Sequence, residues 1–101
     1  MKPEKLKDFE TSSWKNIRGA IAYGSLVYAP FKVGSRLYGY VYDRAGNEIF
    51  QSKRRIDGIV LKFKKSVESL ALRHDFGQSE SWDQDRRGIV QRDISEIFSG
   101  F

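Results

Sequence analysis

The chain contains no cysteine, which leaves no disulfide framework, no thiolate metal site and no thiol nucleophile. That composition fits a reducing compartment, and a cytoplasmic protein is expected. Histidine is almost as scarce. His74 is the only one, and although Asp75 follows it, zinc and His-Asp metal centres need further good ligands. A packed or helix-end histidine is the expectation, with no metal. Long apolar runs are also missing. The most apolar stretch, residues 20–31, is interrupted by Gly24, Ser25 and Pro30 and is too short to span a bilayer. It lies behind an amphipathic opening segment, too far in to read as a secretory signal, so no membrane partner is expected.

Catalytic signatures are equally absent. Gly-Ser occurs at Gly24-Ser25 and Gly34-Ser35, without nucleophile-elbow or P-loop spacing around either. A metal-dependent nuclease of the Glu-x-Lys type is not indicated, because Ile49 and Phe50 follow Glu48. No catalytic residue and no cofactor are assigned. A metal-independent ribonuclease toxin working through Arg, Lys, Tyr and His leaves little linear trace and stands as a lesser alternative.

What is present is a composition of 40% hydrophobic and 14% aromatic residues, enough for one modest core. Residues 1–101 read as a single α+β domain. Pro3, Leu6 and Phe9 suit a short opening helix, with a break at Ser12 and Ser13. Trp14, Ile17 and Ile21 then recur at helical spacing, and Gly24 could end that helix. From Ser25 the period changes to two. Strands are expected at residues 26–31, 36–42 and 47–54, with Pro30 confined to an edge or a strand end. Asp43 and Gly46 fit a type I turn with a glycine bulge, which sets Asp43 opposite Asn47 and Tyr40 opposite Phe50.

Two helices complete the pattern. Asp57 is placed to cap the first, whose face carries Ile56, Ile59, Val60, Phe63, Val67, Leu70 and Ala71, with Gly77 past its end. Ser81 and Gln84 form a capping-box pattern ahead of the second, which carries Ile89, Val90, Ile94, Ile97 and Phe98. The predicted architecture is one or two N-terminal helices, a three-stranded antiparallel meander and two C-terminal helices.

All of the net charge sits in residues 53–73. Lys53, Arg54, Arg55, Lys62, Lys64, Lys65 and Arg73 outnumber Asp57 and Glu68 by five, and the other eighty residues hold eleven charges of each sign. Lys62, Lys65 and Arg73 point away from the helix's apolar face, with Lys64 at its margin. Together with Lys53, Arg54 and Arg55 they could make one cationic surface for phosphate groups. Leu61 and Leu72 lie near each other among these cations. The last helix is expected to cover them; otherwise they mark a subunit or partner contact.

Alternation places Arg36, Tyr38, Tyr40 and Tyr42 on one side of the middle strand. Exposed, these rings and Phe50 could stack unpaired bases. The helices are nevertheless expected to bury them, because Leu37, Gly39 and Val41 alone would make a thin core face. Residues 74–101 carry six acids against three arginines. That tail can clamp the basic stripe, serve head-to-tail association, or be ordinary mixed surface charge.

The favoured reading is a small non-enzymatic binding protein engaging DNA, RNA or another polyanion through Lys53, Arg54, Arg55, Lys62, Lys65 and Arg73, with Arg36, Tyr38 and Tyr40 beside them. The alternative is a protein-binding inhibitor or accessory module, or a homodimer, that makes contact through Leu61, Leu72 and Tyr42. Buried tyrosines with exposed leucines would favour a protein partner, and the reverse would favour single strands.

Overall fold

A computed structural model describes residues 18–75 and 84–101. They form an antiparallel four-stranded meander followed by two helices. The strands are β1 (Ile21–Tyr23), β2 (Leu26–Val33), β3 (Arg36–Asp43) and β4 (Glu48–Gln51), hydrogen-bonded in that order. The helices are α1 (Val60–Arg73) and α2 (Gln84–Ile97). The α+β class matches the sequence reading, but the sheet has four strands and not three. Ile21 begins β1 and does not close a helix. The remaining helical expectations for residues 1–17, and those at Gly77 and Ser81, lie outside the described residues.

Both Gly-Ser pairs turn out to be hairpin loops. Tyr23 pairs with Leu26 and Val33 with Arg36, leaving two-residue turns that open on Gly24 (φ 60°) and Gly34 (φ 62°). Positive φ at the first central position is what the tight type II′ turn requires. Pro30 lies inside β2, yet it breaks no sheet bond. Its cross-strand partner Gly39 sends both its N–H and its C=O to Ser52 on the far side. The Pro30 nitrogen therefore points to the side where β1 has already ended.

The third turn forms as read. Asp43 N–H donates to Asn47 O at 2.9 Å and Gly46 N–H to Asp43 O at 3.1 Å. The strand beyond it slips. Tyr42 pairs with Glu48 but Val41 with Phe50, so β4 carries one extra residue at Ile49. Such a bulge reverses which face every later side chain occupies. Phe50 accordingly leaves the tyrosine face, opposite to expectation, and stacks on Phe98 with ring centroids 4.3 Å apart.

Both helices pack on the other side of the sheet, over Leu26, Tyr28, Leu37 and Val41. Phe63, Val67, Leu70 and Ala71 of α1, Val90 and Ile94 of α2, and the flanking Ile56, Phe98 and Phe101 complete this core. The supposedly thin face is thus the main one, because Phe63 gathers Tyr28, Phe50, Phe98 and Phe101 around its ring at 5.1–6.3 Å. Ile59 and Ile89, expected on the apolar faces, are exposed.

Asp57 does not cap α1. Its carboxylate accepts the Leu37 N–H at 2.9 Å, and Ile59 holds the cap position without a side-chain bond. Where α1 ends, His74 Nε2 lies 2.6 Å from Asp93 Oδ2 of α2, and Arg73 approaches the same carboxylate at 3.9 Å.

A candidate nucleic-acid interface at the basic bulge

The basic triplet owes its exposure to the way β4 leaves the sheet. Ser52 keeps register with Gly39, accepting its N–H on Oγ at 3.0 Å and returning its own N–H to Gly39 O at 2.9 Å. Regular antiparallel pairing would then set Arg54 against Leu37. Instead, Ile56 donates to Leu37 O at 2.7 Å. Two surplus residues are accommodated by looping out Lys53, Arg54 and Arg55, all three exposed. The loop is pinned at its base. The main-chain oxygen of Phe101 accepts the N–H of Lys53 at 2.9 Å and of Arg54 at 3.2 Å. Buried anchors on both sides, Ser52 hydrogen-bonded to Gly39 and Ile56 in the core, force the cations outward.

Lys62 joins this group, with its Nζ 5.9 Å from the centre of the Phe101 ring. Arg36 does so from β3, since it lies just beyond Leu37 at the strand end flanking the loop. Arg73 does not. It sits at the opposite end of α1, where Asp93 draws it toward α2. Lys65 lies on the outermost line of α1, exposed and apart from the bulge. The predicted continuous stripe is therefore divided. One cluster comprises Arg36, Lys53, Arg54, Arg55 and Lys62, and Lys64, Lys65 and Arg73 stand elsewhere.

The tyrosine face is graded. Tyr42 is fully buried and Tyr40 nearly so, among Val27 and Ala29. Their rings stack at 6.2 Å, and burial pushes both hydroxyl pKa values up. Tyr42 therefore offers no surface to a partner, a correction to its place in the protein-contact set. Among the described residues, α1 and α2 do not bury it, for they occupy the other face. Toward the Gly34 hairpin the burial relaxes. Phe31 and Tyr38 are half-exposed, and with Val33, Tyr40, Gln51, Ser52 and Lys53 they line a cleft of about 240 Å³. Phe31 meets Tyr40 edge-on at 5.9 Å, forming one wall. Lys53 thus belongs at once to the cationic loop and to the aromatic cleft.

A second recess was not anticipated. On the helix side of the same sheet end, Arg18, Lys32 and Lys64 surround Tyr28, Pro30 and Leu37 around about 520 Å³ of open space. Lys64 Nζ lies 5.6 Å from the Tyr28 ring centre. These cations are remote in sequence, and the β1–β2 pairing together with the packing of α1 on the sheet brings them together, so no linear pattern could reveal them.

The exposed leucines also depart from expectation. Leu61 is 66% and Leu72 75% exposed, uncovered by α2. The last helix instead lies against the inner side of α1, where Val90 and Ile94 meet the core.

Comparison with protein families, with curated proteins and with solved structures gives no match, so geometry alone carries the functional reading.

Proposed function

We propose that this chain is a small nucleic-acid-binding protein that takes single strands at the basic bulge. The observation that carries the reading is the shared position of Lys53, which links three looped-out cations to the Phe31, Tyr38 and Tyr40 cleft. Phosphates along a strand would meet Arg36, Lys53, Arg54, Arg55 and Lys62, while a base could enter the cleft against the half-exposed Tyr38 and Phe31. Aromatic surfaces accept any base face, and cations beside them hold the backbone, which is the usual chemistry of sequence-tolerant single-strand binding. A duplex keeps its bases stacked and has no ring to offer such a cleft. Chemistry on the strand is not part of the proposal.

Burial restricts stacking to Tyr38 and Phe31, with Tyr40 forming a wall. Arg73 is left out of the contact set, since it lies at the far end of α1 from the bulge. The protein-contact alternative draws support from Leu61 and Leu72, whose exposure with Tyr40 and Tyr42 buried is the pattern that favours a protein partner. Those leucines lie on a different surface, so the two readings do not compete for residues.

The test is a fluorescence-anisotropy titration against single- and double-stranded DNA and RNA at low and moderate salt. The Lys53→Glu/Arg54→Glu/Arg55→Glu and Tyr38→Ala variants are run beside the unaltered chain. Single strands should bind with a salt slope that the triple variant lowers by about 2, from three lost phosphate contacts. Tyr38→Ala should weaken binding while leaving the slope intact, in line with roughly 1–3 kcal/mol per stacked base. Absence of binding at low salt, or equal binding by the triple variant, rejects the proposal.

A further inference from the structure

The outer line of α1 reads Leu61, Lys65, Glu68 and Leu72, residues at i, i+4, i+7 and i+11. This is the spacing of a coiled-coil seam. All four are exposed, and they lie opposite Phe63, Val67 and Leu70, which α1 sends into the core. Neither Lys65 nor Glu68 forms an ion pair among the described residues.

The order of these residues is self-complementary. Turned end for end, the line still reads apolar, charged, charged, apolar, with the two signs exchanged. From this we infer that α1 pairs with α1 of a second copy of this chain, antiparallel, about a two-fold axis passing between Lys65 and Glu68. Leu61 of each copy meets Leu72 of the other, and Lys65 of each meets Glu68 of the other. An isologous interface requires this reciprocity. Parallel pairing would set lysine on lysine and glutamate on glutamate, so charge selects the antiparallel form. The flanking positions agree. Antiparallel pairing sets Lys62 beside Ser69 and Lys64 beside Ala71 of the second copy, with no like charges opposed. The two basic bulges, each near the start of α1, would be carried to opposite ends of the paired helices.

The contact is small and the association correspondingly weak, so it is read by sedimentation equilibrium of the full chain up to about 1 mM. The mass should rise with concentration from the 11.7 kDa of one chain toward twice that value. Lys65→Glu alone and Glu68→Lys alone should each abolish the rise, because each opposes like charges across the axis. Mixing those two variants in equal amounts should restore it, and so should the double swap Lys65→Glu/Glu68→Lys within one chain. Restoration excludes misfolding as the cause of the loss. A chain that stays at 11.7 kDa overturns the inference and leaves the stripe to a different protein. A dimer indifferent to the single reversals overturns it as well, since its interface must then lie elsewhere.

Discussion

Gly39 lies directly beneath the ring of Phe63. A Cβ built on Gly39 would fall 2.5 Å from Cε1 and 2.7 Å from Cζ of that ring. Phe63 has nowhere to go, since Tyr28, Phe50, Phe98 and Phe101 surround it. The absent side chain on β3 is therefore what lets α1 approach the sheet. Gly39→Ala should destabilise the fold by about 1–3 kcal/mol, the usual range for overpacking a filled core. Urea denaturation measures this directly. Adding Phe63→Leu, which shortens the obstructing group, should make the second change less harmful than it is in the unaltered chain. Strict additivity of the two would mean that the ring and the glycine are not in contact.

Gly88 is the contrasting case. It lies within α2, and a Cβ there meets nothing within 4 Å. Its flexibility only raises the entropy lost when the helix forms. Gly88→Ala should stabilise the chain by about 0.5–1 kcal/mol, raising the melting temperature by a few degrees. A lower melting temperature would show that this position needs its glycine.

These two glycines also mark what the sequence could and could not disclose. A glycine at position 88 is a soft point on local grounds alone, because a helix interior is judged from its own residues. Gly39 is not legible in that way, because its meaning depends on Phe63, which is distant in the chain. The same division runs through the fold. The α1 core face and the Asp43 turn were readable, since period and turn chemistry are local properties. β1 is not legible because Ile21–Tyr23 is too short to display a period, and a Gly-Ser pair alone does not distinguish a tight hairpin turn from other loops. The single extra residue at Ile49 then moved Phe50 to the opposite face, which no reading of alternation alone foresees. At the site, the cations were visible as composition. Their division into a bulge cluster, with Arg73 turned to Asp93, came only from tertiary pairing.

Asp43 ties the last hairpin to α2. Fully buried, it accepts the N–H of Ala45 at 3.0 Å, the N–H of Asn47 at 2.8 Å and the Asn47 side-chain amide at 3.0 Å, while Arg87 approaches at 3.7 Å. Asp43→Ala would strand two main-chain donors and leave the arginine facing an uncharged turn, at a cost of roughly 2–4 kcal/mol. Asp43→Asn keeps one oxygen for the two main-chain donors but turns an amide N–H toward the Asn47 amide and Arg87, so an intermediate loss of about 1–2 kcal/mol is expected. Arg87→Ala should resemble Asp43→Asn, because Arg87 is partly solvated. The order of the three denaturation midpoints tests this. If Arg87→Ala proved the most damaging, the ion pair and not the turn would dominate.

Tyr28 is one of the buried tyrosines that limit the fold at alkaline pH. Its hydroxyl is buried beneath α1, and desolvation, helped by the neighbouring Tyr23, pushes its pKa from 10.0 to about 12. Folded protein thus holds this proton more tightly than the unfolded chain does. Below pH 10 both states are protonated and stability is complete. Between pH 10 and 12 only the unfolded state ionises, and stability falls by about 1.4 kcal/mol per pH unit for this one group. Tyr42, Tyr40 and Tyr23 are also shifted upward by burial, so their losses add in the same direction. Unfolding above pH 10 should therefore be cooperative, with tyrosinate absorbance and loss of helical circular dichroism rising together. Tyr28→Phe, which removes one of these protons and keeps the ring under Lys64, should move the midpoint to higher pH. Titration of all five tyrosines near pH 10 while the helical signal persists would contradict the burial of these rings.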